Sequence, residues 1–136
     1  MTRTAFIRWT PRKSVTNLTR IIALNGTTVI FVPASVREEP NYFWNARPKA
    51  RAIDNQLFVV GVNRCGEIGN ERYIGRSMVV SPRGDVLHEC GTEEEIASVE
   101  LDFGEIAKER GSEPTFSEFE IAVYDQFLEH FKEERD

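Results

Sequence analysis

Apolar positions along the chain fall into two spacings. Between residues 15 and 25, Val15, Leu18, Ile21 and Ile22 recur at helical intervals, which predicts an amphipathic helix with Gly26 as its stop signal. Val29-Ile30-Phe31-Val32 is a short continuous apolar run, the pattern of a strand buried on both faces. After the polar stretch ASVREEPNY, a second helical piece is predicted around Pro48–Asn55, with Pro48 in its first turn. Leu57–Val62 reads as another buried strand, and GEIGNERYIG as a glycine-rich loop.

The second half continues the alternation. Residues 77–81 and 85–89 flank Ser81-Pro82-Arg83-Gly84, whose Pro and Gly suit a hairpin turn. Ala97–Leu101 reads as a further strand, and Asp102–Glu105 as the cap of a short helix ending before Gly111. A last helix is expected from Ser117, with Glu120 completing a capping box. Ile121, Tyr124, Phe127, Leu128 and Phe131 form its apolar stripe. Helices and strands alternating in this way predict an α/β class and a single domain.

Composition narrows the class further. The 136 residues are 40% hydrophobic and 29% charged, ordinary for a globular domain. A net charge of −5 argues against a dedicated nucleic-acid binder. No apolar run reaches the roughly 18 residues of a membrane span, and MTRTAFIRWTPRKS lacks the apolar core of a secretory signal. Cys65 and Cys90 give neither a disulfide framework nor a metal pattern, and His88 and His130 have no partner at ligand spacing. These features predict a cytoplasmic protein with reduced thiols, no metal and no cofactor.

The middle of the chain carries a more specific signal. FVPAS, Trp44, KARAIDNQLFVVGVNRCG and GRSMVVSPRGDVLHECGTEEE follow one another over residues 18–106. In order and spacing they resemble the second half of a carbon–nitrogen hydrolase of the nitrilase superfamily, nearest its amidase-like branch. The resemblance implies about half of an αββα sandwich, here with a C-terminal helix added, and pairing into dimers through helical faces. It also implies hydrolysis of small non-peptide amides or nitriles through a cysteine thioester. In that chemistry a glutamate is the base, and a lysine with a backbone N–H stabilises the oxyanion.

Arg20, Ala23 and Gly26 match the tail of the family's cysteine motif, which places Thr10 at the nucleophile position. There the chain reads TPRKSVTN instead of the family's CYDLRFPE, and Met1–Trp9 holds no glutamate or lysine. No catalytic residue is therefore carried over. Lys13 reads as a surface charge, Cys65 as a buried or rim cysteine, Cys90 as a packing residue and Glu93–Glu95 as a solvated turn. Phe43-Trp44 stands where the family has His-Trp.

Arg51 and Asp54 should pair along a helix. Asn63 and Arg64, at a strand end, are the candidates to line a substrate pocket. Two readings follow: a truncated hydrolase, inactive without its missing half, or a non-catalytic binding or dimerising remnant. Whether adjacent coding sequence supplies the Glu, Lys and Cys separates them. Partial sheets would leave apolar faces uncovered, so self-association is expected. A small amide is expected as partner only if the other half is supplied.

Overall fold

A computed structural model of the chain describes residues 3–6, 15–39 and 41–116. Its elements are β1 (Thr4–Phe6), α1 (Val15–Leu24), β2 (Val29–Ala34), α2 (Tyr42–Asn55), β3 (Phe58–Asn63), β4 (Cys65–Ile68), β5 (Glu71–Ile74), β6 (Met78–Val80), β7 (Val86–Glu89) and α3 (Gly104–Ser112). Five strands form one mixed sheet in the order β1-β2-β3-β6-β7, parallel from β1 to β3 and antiparallel beyond.

Two successive β-α-β units build the parallel part, and both helices lie on the same side of the sheet. That face carries Ile30, Val59, Met78 and Val80, packed against Ala23 of α1 and Trp44 and Ala52 of α2. Removing each of the larger side chains from water contributes roughly 1.5–3 kcal/mol. Among the described residues, the opposite face is covered only at one end. There Val29 and Phe58 meet Ile106 of α3, while Phe31 and Val60 are half-buried. Val62 is 48% exposed and Phe6, stacked on Phe31, is 76% exposed. The continuous apolar runs of β2 and β3 thus predict cover on both faces, and this layer supplies it fully on one. One sheet carrying one helical layer is half of a four-layer sandwich.

Several elements differ from the sequence reading. The second helix begins at Tyr42, and Pro48 lies in its interior. A proline there leaves one helix carbonyl without its N–H at a cost of about 3 kcal/mol. Trp44, Pro48, Ala52 and Asn55 nonetheless form the buried stripe, so burial of Trp44 one turn earlier outweighs the local preference. Among the described side chains of α1, Thr19 and Ala23 are buried, whereas Leu18, Ile21 and Leu24 face outward. Ile22 packs against the core beside Ala23, while Leu18, Ile21 and Leu24 are left on the outer surface.

GEIGNERYIG is not a loop. It contributes most of an antiparallel β4–β5 hairpin, in which Ile68 pairs with Glu71 across Gly69-Asn70. Gly69 takes the positive φ (+61°) that such a two-residue turn requires. Ala97–Leu101, by contrast, forms no strand, because it has no ladder partner among the described residues. The Ser81–Gly84 turn is as expected, closed by Gly84 N–H donating to Ser81 O at 2.9 Å. Asp102 accepts the Gly104 N–H at 2.8 Å, and α3 runs through Gly111 to Ser112. The helix expected from Ser117 lies outside the described residues.

Candidate functional site

The parallel strands β2 and β3 end together, and the chain turns sharply beyond both. Asn63, the last residue of β3, is buried. Its Oδ1 accepts the Val36 N–H at 2.8 Å and its Nδ2 donates to Gly75 O at 2.7 Å. Its own N–H donates to Ser77 Oγ at 2.9 Å. One amide therefore ties the β2–α2 loop to the segment entering β6.

That segment is conformationally unusual. Gly75 and Arg76 both have positive φ, +62° and +54°. A Cβ on Gly75 would stand 2.8 Å from Gly91 O and 3.1 Å from Cys65 Cβ. Arg76 is fixed on three sides. Its N–H donates to Gly91 O at 2.8 Å, its carbonyl accepts the Trp44 indole N–H at 2.8 Å, and its guanidinium donates to Glu89 at 2.6 Å. Gly61, facing Trp44, leaves room for the indole ring that a Cβ would meet at 3.1 Å.

Beside this corner a cavity of about 760 Å³ opens on the uncovered sheet face. Asn63, Cys65, Ser77, His88 and Cys90 line its polar part; Phe31, Val60, Val62 and Leu101 line its apolar part. Asn63 thus borders the cavity with its amide already engaged. Arg64 does not line it; its guanidinium lies 5.2 Å from the centre of the Tyr73 ring, over the β4–β5 hairpin. Arg51 and Asp54 pair at 3.4 Å on α2. Thr10, at the position of the family's nucleophile, and Lys13 and His130 lie outside the described residues.

The cavity also holds a group that the sequence reading kept apart. His88, Cys90 and Glu95 place their ligand atoms within 4.8 Å of one another. His88 Nε2 is 3.2 Å from Glu95 Oε1, while Glu95 Oε2 accepts the Gly91 N–H at 2.9 Å. Glu93–Glu95 are exposed, as a solvated turn predicts, and Glu95 is in addition anchored by these two bonds. The Gly91 N–H first, then the bond to His88, hold its carboxyl below the ordinary carboxylate range. Partial burial, then the carboxylates of Glu95 and Glu89, push the Cys90 thiol up. A nucleophilic cysteine needs the reverse, a thiol lowered by a cation or helix end, so this trio is not poised for thiol catalysis. The missed signal was the His-x-Cys spacing, which puts both side chains on one face of a strand.

Comparison with known proteins places this geometry. The carbon–nitrogen hydrolase family model matches residues 13–110. The chain belongs to the carbon–nitrogen hydrolase family. It is 34% identical over 107 residues to a protein named hydrolase in agr operon from Staphylococcus aureus, covering 79% of this chain and 41% of that protein. It is 35% identical over 99 residues to a 2-oxoglutaramate amidase of Bacillus subtilis, covering 73% and 38%.

A Saccharomyces cerevisiae protein from branch 10 of the nitrilase superfamily superimposes with a TM-score of 0.70 at 29% identity, over 73% of this chain and 37% of that one. A Helicobacter pylori carbon–nitrogen hydrolase shares the fold with a TM-score of 0.79 at 24% identity, over 93% and 49%. This carbon–nitrogen hydrolase chain spans about two-fifths of the length of the curated relatives it matches. Among the described residues no helix is long and apolar enough to cross a membrane.

Proposed function

We propose that this chain is one layer pair of a carbon–nitrogen hydrolase acting on small non-peptide amides. The glutamate, lysine and cysteine of the reaction would come from the half not represented in residues 18–106. The observation that carries the reading is the sheet face that the described residues leave open beside the strand ends. Phe31, Val60 and Val62 leave apolar surface there in β2 and β3, whose sequences are patterned for burial on both sides. Among the described residues, the cavity lining includes no lysine to stabilise an oxyanion. Asn63 would then position the strand ends, and the reacting groups would arrive from the facing sheet.

The test joins this chain to the complementary N-terminal half of the Bacillus subtilis amidase. The chain alone is expected to release no ammonia from glutaramate-like amides or simple nitriles. The joined protein should release it, because restoring a missing nucleophile and base can raise turnover on the order of a millionfold. Ammonia from the chain alone, abolished by Cys65→Ala, would instead make Cys65 the nucleophile and sink this reading. A joined protein that folds yet stays inert would favour the binding remnant.

The same surfaces support self-association. The open sheet face and the outward stripe Leu18, Ile21 and Leu24 of α1 both leave apolar area in water. Sedimentation of the purified chain should show species larger than a monomer. A single monomeric species across a wide concentration range would contradict it.

A further inference from the structure

We propose that His88, Cys90 and Glu95 form a binding site for one zinc-like divalent cation. The residues come from two directions. His88 and Cys90 extend from the end of β7 onto the open face, and Glu95 reaches back across the turn that begins at Gly91. One nitrogen, one sulfur and one carboxylate oxygen make a borderline-soft donor set, which suits zinc better than magnesium or calcium. With Cys90 as thiolate and Glu95 ionised, two negative charges face a doubly charged ion beside a neutral imidazole, and the bound site is electrically balanced. The thiol proton leaves to solvent as the sulfur–metal bond forms.

Three further observations support the assignment. The three ligand atoms already lie within 4.8 Å of one another, so closure to tetrahedral spacing of roughly 3.5 Å needs displacements of about an ångström. None of the three is fully buried, which leaves the side chains room to adjust. Arg76, the one arginine or lysine among the described lining residues, is bonded to Glu89 and so does not neutralise Glu95. The fourth position faces the cavity and is open to water or a ligand heteroatom. A bound ion would fasten the turn from Gly91 to Glu95 onto β7 and hold residues 96–101 along the open face. None of this depends on the hydrolase reading, since no reacting group of that family is involved.

The test uses the full chain and zinc or cobalt(II) alone. Competition against a chromophoric chelator should give one equivalent of zinc per chain. Cobalt should produce the near-ultraviolet band of thiolate-to-metal charge transfer. Cys90→Ser should abolish that band, and Cys90→Ser and His88→Ala should each weaken zinc binding by more than about tenfold. Glu95→Gln should weaken it less, and Cys65→Ser should leave both readings unchanged. Circular dichroism of each variant checks that the fold is retained. Absence of stoichiometric binding, or binding indifferent to Cys90→Ser and His88→Ala, would overturn the proposal, as would a band lost on Cys65→Ser.

Discussion

Gly75→Ala should destabilise the chain by about 2–4 kcal/mol and lower its Tm by roughly 10 °C. Two costs combine at this position. A left-handed backbone disfavours any side chain by roughly 1–2 kcal/mol, and here the added carbon would stand 2.8 Å from a backbone oxygen that cannot move freely. Gly69 provides an internal reference, because its φ of +61° is nearly that of Gly75, yet a Cβ there meets nothing within 4 Å. Gly69→Ala should therefore show the backbone cost alone. Thermal or urea unfolding of the two variants isolates the contact by subtraction. Equal losses in both would mean that the corner at Gly75 is not tightly packed.

Asn63→Ala should cost about 3–4 kcal/mol, since it strands two backbone groups at once. The Val36 N–H loses its acceptor and the Gly75 carbonyl its donor, and each buried unsatisfied group carries roughly 1–3 kcal/mol. Asn63→Asp gives a sharper result. The new carboxylate can still accept from Val36 but would face the Gly75 carbonyl with a negative charge. Protonation restores a donor, so burial and that carbonyl raise the introduced carboxyl's folded-state pKa above its unfolded value. The variant should be nearest to wild type at acid pH and lose stability as pH rises through the folded-state value. A pH-independent deficit in unfolding experiments would show that the amide is not shared in this way.

Much of the fold was legible because its strands are written redundantly. The runs around Ile30 and Val59 are apolar on both faces, and the turn Ser81–Gly84 uses residues suited to its geometry. The errors have physical causes. Pro48 suggested a helix start because local preference cannot foresee the burial of Trp44. Leu18, Ile21 and Ile22 share the helical period, yet only Ile22 of the three turns to the core, beside Thr19 and Ala23, because periodicity does not fix how a helix is rotated on its sheet. The Gly69-Asn70 turn was visible in principle but lay in a polar segment, where hydrophobic alternation gives no help.

Asn63 stands out in the sequence only as a strand end, and its part in holding two loops together required coordinates. The meeting of Glu95 with His88 and Cys90 depends on a turn whose path no spacing rule predicts.

Gln56 closes α2 in a left-handed conformation (φ 46°), with its side chain buried. Its amide Nε2 donates to the carbonyls of Glu109 at 3.3 Å and Glu113 at 2.8 Å, 53 and 57 residues away. Closing loops of that length costs entropy that neighbouring contacts must already outweigh. The expected order of assembly is that the β2–α2–β3 unit sets first and α3 is secured once Gln56 is in place. During synthesis, the sheet and inner helices would then be held before α3 emerged to be fastened to the end of α2.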